Sequence, residues 1–199
     1  SVRYLIRPAP QLPLPGFVPV AGPAHTPGGQ PAYLYERDSV PPYARVVPAA
    51  AKVPDERIVP TLLDPRLDVN RVVLLPDDAP VAVPRLDALP APSASRAQVA
   101  AWEPGRMTVR LDPAPAEDAY LLVSENWYPD WVATVDGRPG MVLRGDYTFI
   151  TVPVPRGARE VQLVMRSRYY RSGALVSAAS LAGIILWLAL PLALRRRRG

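Results

Sequence analysis

Aromatic side chains crowd into one short segment, residues 127–131 (WYPDW). Aromatic rings combine a large apolar face with a polar edge, so exposed rings here would suit a carbohydrate or a lipid-linked sugar. The alternative is that Trp127 and Trp131 straddle a turn and close the end of a hydrophobic core. Strand alternation puts Trp131 on the same face as Val135, which favours an inward Trp131 and leaves Tyr128 as the exposed ring. The candidate glycan contacts are Trp127, Tyr128, Asp130, Trp131 and Arg144.

Carboxylates surround this segment, at Glu125, Asp130, Asp136 and Asp146. Two carboxylates on adjacent loops could act as a general acid and a general base. Asp136, however, precedes Gly137, and this dipeptide is a strong signal for a tight turn in which aspartate has a structural role. The other acids could pair with Arg138 or Arg144 at the surface. We therefore predict no catalytic residue.

Metal and cofactor sites lack the residues that they need. The chain has no cysteine and a single histidine, His25, which lies in a segment rich in proline and glycine. A zinc site needs several nitrogen or sulfur ligands, and a catalytic triad needs a histidine with fixed partners. Gly28 and Gly29 are followed by Gln-Pro, so they do not form a phosphate loop that opens a helix. We predict neither a metal site nor a cofactor.

The chain is basic, with a formal net charge of +5, but the distribution of its charges argues against a nucleic-acid partner. Lys52 is the only lysine, and most arginines are scattered. Two arginine clusters flank an apolar segment near the C-terminus: Arg166, Arg168 and Arg171 before it, and residues 195–198 after it. Lipid headgroups and membrane topology explain such clusters better than contacts with nucleic-acid phosphates. The predicted partner is a lipid bilayer.

Residues 173–194 contain no charged side chain and are nearly all apolar. At about 1.5 Å of rise per residue, about 22 helical residues reach about 33 Å, enough for a hydrocarbon core of about 30 Å. We predict a transmembrane helix over residues 172–194; the alternative is a buried core helix. The basic tail, residues 195–199, predicts a cytoplasmic C-terminus and a globular region outside the plasma membrane. A tail-anchored cytoplasmic protein would need the opposite orientation.

The chain's 27 prolines predict short elements in its first half. Residues 1–31 are predicted to be irregular, and residues 32–92 to hold short strands, one helix and a proline-rich connector. Residues 93–168 contain closely spaced apolar segments bounded by proline or glycine, which predicts a β-sandwich or jelly-roll-like domain. The fold class is therefore mainly β with one C-terminal transmembrane helix. The predicted strands are residues 32–36, 44–47, 70–75, 96–102, 107–111, 119–124, 131–135, 141–143, 147–152 and 160–165, and the helix is residues 55–63.

A series of short motifs resembles the C-terminal extracytoplasmic region of the YfhO-like bacterial membrane proteins. The resemblance is specific over residues 121–177. It is carried by Ser124-Glu125-Asn126, Trp127-Tyr128-Pro129, Trp131, Val135-Asp136-Gly137, Arg144, the Pro-x-Pro-x-Gly turn within residues 152–157, and Gly173 with Ser177. These proteins are large multispanning proteins of the GT-C glycosyltransferase type.

The resemblance implies that the transferase chemistry lies elsewhere. In such proteins the catalytic acids lie in extracytoplasmic loops near the N-terminus, and many membrane helices precede the region that this chain resembles. The chain would then be the accessory domain and last helix of a longer bacterial plasma-membrane protein that handles polyprenyl-linked sugars in cell-envelope glycosylation. Its partners would be the rest of that protein and the lipid-linked sugar or acceptor glycan. The alternative is a non-enzymatic, membrane-anchored sandwich that binds envelope glycan or protein partners.

Overall fold

A computed structural model describes residues 3–8, 16–38 and 40–196, without the side chains of residues 168, 171 and 186–196. The described part of the chain is mainly β and forms several sheets, as the sequence predicts. In chain order the elements are β1 (Tyr4–Arg7), β2 (Phe17–His25), β3 (Pro31–Arg37), β4 (Ala44–Val47), β5 (Ala49–Val53), α1 (Asp55–Leu62), β6 (Val72–Pro76), β7 (Arg96–Glu103), β8 (Arg106–Asp112), β9 (Ala119–Asn126), β10 (Trp131–Val135), β11 (Arg138–Gly140), β12 (Leu143–Gly145), β13 (Phe149–Val154), β14 (Glu160–Met165) and α2 (Arg168–Arg196).

Two antiparallel sheets share one hydrophobic core. The five-stranded sheet has the order β11-β10-β14-β8-β7, and the four-stranded sheet has the order β12-β13-β9-β4. Along β8 and β10, apolar residues that enter this core alternate with residues that face away from it. The arrangement is consistent with a β-sandwich. The core includes Val109, Leu121, Ile150, Val152 and Leu163.

The second face of the four-stranded sheet is covered by a β–α–β unit. Strands β5 and β6 pair in parallel, and α1 connects them, because parallel neighbours need a crossover connection. Val73 and Leu75 of β6 belong to the same buried cluster as Leu122 and Leu143 of the sheet. Strand β5 was not predicted, because its sequence AAAKV is mainly alanine, a residue depleted in strands.

The prediction that residues 1–31 are irregular is wrong. Strands β1, β3 and β2 form an antiparallel sheet in that order, and the first predicted strand, residues 32–36, lies within β3. Pro19 and Pro23 are tolerated in β2 because β2 is an edge strand and its register with β3 shifts on both sides of Ala21. Residues 1–2 and 9–15 of this segment lie outside the described residues.

Most predicted elements of the sandwich are confirmed. Strands β4, β10 and β14 have the predicted bounds, and α1 lies within the predicted helix. Asp136 and Gly137 join β10 to β11 with φ of 48° and 77°, as a two-residue type I′ hairpin requires. The strand predicted at residues 141–143 is wrong, because β11 ends before it and β12 begins at its last residue.

Helix α2 follows β14 after Arg166 and Ser167. Its described side chains, at residues 169–170 and 172–185, are exposed, so the alternative of a buried core helix is wrong for this part of the chain. Among the described residues, no helix has the length and apolar character needed to cross a membrane. The side chains of residues 186–194 and all of residues 197–199 lie outside the described part. The transmembrane helix therefore stays a prediction.

Candidate functional site

The aromatic turn, residues 127–131, connects β9 of one sheet to β10 of the other. Trp131 is 8% exposed and lies in the core between the sheets, together with Val135. Trp127 is partly buried and packs against the same core. The interpretation that these two tryptophans close the end of the core is therefore confirmed. Neither ring is free to form the open face that a bound sugar would need.

Tyr128 has the exposed ring of the aromatic turn, as predicted, with 52% of its surface accessible. The turn is closed by a hydrogen bond in which the N–H of Trp131 donates to the carbonyl oxygen of Tyr128 at 3.1 Å. Because Trp127 and Trp131 on either side of it pack in or against the core, the backbone at Tyr128 is held in place while its ring is exposed. It can stack on a ligand without first being ordered.

Asp130 attaches the aromatic turn to the segment that leads into α2. Its carbonyl oxygen accepts a hydrogen bond from the N–H of Arg166 at 2.8 Å. The next residue, Trp131, pairs with Met165, the last residue of β14. The Oδ2 atom of Asp130 is buried and has no hydrogen-bond partner in the described part of the chain. A buried acceptor without a donor costs about 1–3 kcal/mol.

Arg144 lies in β12 rather than in a loop, and it is already engaged. Its Nη2 contacts Oδ1 of Asp55 in α1 at 2.5 Å, and its Nη1 donates to the carbonyl oxygen of Tyr147 at 2.9 Å. The expectation that a neighbouring acid of the aromatic segment pairs with Arg144 is wrong. Arg144 instead attaches the β–α–β unit to the sandwich. Its Nη1 and Nη2 atoms both already have partners within the protein.

A second turn, residues 146–148 between β12 and β13, lies against the aromatic turn. The N–H of Trp127 donates to the carbonyl oxygen of Thr148 at 2.7 Å, and the hydroxyl of Thr148 is 3.3 Å from the side-chain oxygen of Asn126. This turn carries an exposed ring that sequence reasoning missed, Tyr147, which has a φ of 75°. The sequence signal that could have predicted this turn is the Gly145-Asp146 pair before Tyr147, because this pair is typical of a tight turn.

The carboxylates considered as an acid–base pair do not form one. Glu125 accepts a hydrogen bond from the hydroxyl of Tyr43 at 2.6 Å. Burial, and then this hydrogen bond, raise the pKa of Tyr43. Asp136 lies at the other end of β10 from Asp130 and accepts N–H groups of Arg159 and Glu160, at 3.1 and 2.9 Å. Each of these acids therefore has a structural partner in a different part of the sandwich.

Asp146 belongs to a buried ion pair that sequence reasoning also missed. Its Oδ2 lies 3.1 Å from Nη2 of Arg45, and the two side chains are only 3% and 13% exposed. Its Oδ1 accepts the N–H of Leu74 at 2.9 Å, while its own N–H donates to the carbonyl oxygen of Leu74 at 2.8 Å. Burial raises the pKa of the Asp146 carboxyl, although Leu74 and Arg45 oppose the shift. The hydrogen bonds with Leu74 attach β6 to the four-stranded sheet, and the ion pair joins this point to Arg45 in β4.

In the part of the chain that the structure describes, histidine, aspartate and glutamate residues form no group of three that could hold a metal ion. An apolar cleft of about 480 Å³ lies at the opposite end of β9 from the aromatic turn, between the proline-rich connector and the sandwich. Its lining includes Val81, Pro84, Tyr120 and Pro153. The cleft is thus separate from the candidate glycan contacts.

Comparisons of the chain with protein-family models, with characterised proteins and with solved structures found no match. The resemblance to the YfhO-like proteins therefore rests on the motifs within residues 121–177 and stays a prediction. The site itself can be described without it. Tyr128, Tyr147 and the unpartnered carboxylate oxygen of Asp130 lie on two joined turns, and these turns are attached to the first residues after β14.

Proposed function

We propose that the chain is a membrane-anchored β-sandwich that binds the sugar part of a polyprenyl-linked glycan at the outer surface of a bacterial plasma membrane. In this proposal the sandwich is the extracytoplasmic accessory region of a GT-C-type, YfhO-like glycosyltransferase protein, and α2 is its last membrane helix. The reaction itself is carried out elsewhere in that protein. The sandwich positions the lipid-linked substrate or covers the membrane-embedded active site.

The observation that carries the proposal is the place of the aromatic turn. The backbone hydrogen bond from Arg166 to Asp130 fixes this turn beside the junction between β14 and α2. A ligand bound at Tyr128 would therefore lie close to the point where the chain enters the proposed membrane helix. A polyprenyl-linked sugar has its polar group at this level, because its isoprenoid tail lies in the bilayer.

Two features support α2 as the anchor. Residues 172–194 contain no charged side chain in the sequence, and the described side chains of residues 172–185, including Leu175, Leu181 and Ile184, are exposed. An apolar helix with exposed side chains needs an apolar solvent, because burying apolar surface contributes about 25 cal/mol per Å². The hydrocarbon core of a bilayer supplies that solvent and accepts a helix whose backbone groups are paired internally.

Binding of a polyprenyl-phosphate sugar to the full chain in lipid nanodiscs tests the proposal. We expect Tyr128→Ala to weaken binding by about tenfold, since stacking and edge contacts of one aromatic ring are worth about 0.5–1.5 kcal/mol beyond area burial. Tyr4→Ala is the matched control, because Tyr4 is 51% exposed, like Tyr128, but lies in β1 of the three-stranded sheet. Equal affinity of wild type and Tyr128→Ala would overturn the assignment of this turn as the glycan contact.

The accessory role has a separate test. An antibody raised against residues 96–165 should detect, in native membranes, a polypeptide several times larger than the 21.7 kDa of this chain. A band near this mass, with no multispanning protein co-purifying, would contradict the accessory role. The anchored binding module would then be the better account, and glycan binding at Tyr128 would still be measurable.

A further inference from the structure

We propose that the sandwich itself contacts the membrane, through one end of its five-stranded sheet. This contact surface, the helix-proximal rim, consists of Trp102, Met165, Tyr169 and Tyr170, all of which are exposed. The proposal rests on the proposed function, because it takes α2 as the anchor and adds a second contact with the same bilayer. Its ligand is the interfacial layer of lipid headgroups.

Backbone hydrogen bonds place Trp102 near the start of α2. The N–H of Met165, at the end of β14, donates to the carbonyl oxygen of Gly105 at 2.8 Å. Gly105 lies in the turn between β7 and β8, and Trp102 pairs with Met107 immediately beyond that turn. Since adjacent strands are about 4.8 Å apart, Trp102 lies about 10 Å from Met165, two strands away across the sheet.

The composition of the rim suits the boundary between water and lipid. Tryptophan and tyrosine are enriched at this boundary because their rings are apolar at one side and form hydrogen bonds at the other. Trp102 is 59% exposed, although tryptophan has the largest apolar side chain of all residue types. Arg106 and Arg166 are exposed beside the rim and can attract anionic headgroups; Glu103 is also exposed and lies opposite Arg106 in the β7–β8 ladder.

The other end of the same sheet has a different chemistry. There the Asp136-Gly137 turn is exposed, and the Asp136 carboxylate accepts backbone N–H groups of Arg159 and Glu160. Arg138 and Arg156 are exposed near these turns. Strands β10 and β14 therefore run from a polar end to an end with exposed aromatic rings, and α2 leaves from the latter.

A bilayer is the occupant that the geometry favours over a protein partner. The rim is continuous with α2, since Tyr169 and Tyr170 are in its first turn and Met165 lies just before it. If residues 172–194 enter a membrane, the rim must lie within a few ångströms of the headgroups, because Arg166 and Ser167 are the residues between strand and helix. No further ordering of the chain is needed for Trp102 to reach lipid.

Single-cysteine spin labelling of the full chain in phosphatidylglycerol–phosphatidylethanolamine vesicles tests the contact, and the absence of native cysteine makes it direct. One label is placed at Glu103→Cys, beside Trp102, and the matched label at Arg138→Cys, at the polar end. We expect the ratio of collisions with oxygen to collisions with an aqueous nickel chelate to be about tenfold higher for the first label, because oxygen concentrates in lipid and nickel is excluded. Adding Trp102→Ser to Glu103→Cys should lower this ratio at least about twofold, since an interfacial anchor is lost.

The outcomes separate the two proposals. If the chain stays in vesicles after a carbonate wash but both labels collide equally with nickel, the anchor stands and the rim contact is overturned. If the chain leaves the vesicles, the anchor and the rim contact are both overturned. If collisions of the Glu103 label with both oxygen and nickel are low in the vesicles, the rim is covered by protein rather than by lipid, and the proposal fails.

Discussion

The two faces of the four-stranded sheet are both buried, but they are held by different forces. One face meets the five-stranded sheet through side chains such as Leu121, Val123 and Val152, each fully buried. The other face meets the β–α–β unit. Here the apolar side chains include Leu122 and Leu143, and the buried ion pair of Arg45 and Asp146 lies on the same face. The first interface therefore depends mainly on apolar packing, whereas the second also depends on the hydrogen bonds and the ion pair of Asp146.

The difference shows where the molecule tolerates change. Apolar contacts are non-directional and can be lost gradually, whereas a buried charge becomes costly as soon as its partner is removed. On the second face, Arg45 Nε and Thr151 Oγ1 are buried with no hydrogen-bond partner in the described residues. The β–α–β unit is thus attached through a region where polar atoms are buried as well as apolar ones.

Asp146→Asn is expected to have the largest effect. The asparagine keeps an acceptor for the N–H of Leu74 but leaves the Arg45 guanidinium without a counter-charge, which in a buried pair costs about 3–5 kcal/mol of unfolding free energy. The desolvation that raises the pKa of the Asp146 carboxyl offsets part of this cost at neutral pH. Urea denaturation of the full chain in detergent or nanodiscs measures the change. Adding Arg45→Met should recover most of the loss, because a buried pair can be replaced by apolar packing at little cost.

Asp64→Ala is the control for this experiment. Asp64 also pairs with an arginine, Arg66, at 2.6 Å, but that partner is 88% exposed. Water solvates both groups when the pair is broken, so we expect a much smaller loss of unfolding free energy than for Asp146→Asn. A similar loss for Asp64→Ala and Asp146→Asn would show that burial does not distinguish the two pairs and would remove the contrast between the faces.

Leu121→Ala and Leu122→Ala compare the two faces at adjacent positions of β9. Both side chains are fully buried, so each truncation should cost about 2–5 kcal/mol through lost apolar transfer and the cavity left behind. We expect the higher value for Leu121, whose cluster contains apolar side chains from both sheets of the sandwich. Denaturation midpoints of the two variants, measured under the same conditions, decide the order. A larger loss for Leu122→Ala would mean that the β–α–β interface is the stronger apolar contact.

The apolar pattern explains why much of the sandwich could be predicted from the sequence. Strict alternation at residues 131–135 predicted β10 and the inward Trp131, because one face of that strand is buried and the other is not. The Asp136-Gly137 turn was also predicted, because its signal, the Asp-Gly dipeptide, is local in the sequence. Strand β2 was missed because edge strands tolerate proline, a fact that only the sheet order reveals.

The candidate site was predictable only in part, because its contacts join distant segments. Tyr128 and Trp131 follow from local alternation, and their exposure and burial were predicted. The pairing of Arg45 with Asp146 joins residues 101 positions apart, and that of Arg144 with Asp55 joins residues 89 positions apart. No periodicity connects such residues. The position of the aromatic turn beside α2 likewise depends on the pairing of β10 with β14.

Gly145→Ala should have a smaller effect than the buried truncations. An added Cβ would lie 2.1 Å from Oγ1 of Thr151 and 2.8 Å from Cγ2 of Val73, where the β–α–β unit meets the sheet. Overpacking of this kind costs about 1–3 kcal/mol. Gly28→Ala is the control, because its Cβ would contact only Thr26 Oγ1, at 4.0 Å. A Thr151→Ala substitution should relieve part of the Gly145→Ala loss, and no relief in a double-mutant cycle would place the strain elsewhere.

The pH dependence of stability should have opposite signs at Asp146 and Asp64, two of the aspartates that pair with arginine. Burial raises the pKa of Asp146 above its usual 3.8, so its contribution to stability is fully present below that value and is lost as pH rises through the raised pKa. The Arg66 hydrogen bonds lower the pKa of Asp64 to about 2, so its contribution is present above 3.8 and is lost as pH falls towards 2. Unfolding free energies of wild type, Asp146→Asn and Asp64→Asn between pH 2 and pH 7, with the carboxyl titrations followed by NMR, separate the two terms. The difference in unfolding free energy between wild type and Asp146→Asn should therefore change with pH above 3.8. If it did not change, the Asp146 carboxylate would not be held at a desolvation cost. The two faces of the sheet would then differ only in how their side chains pack.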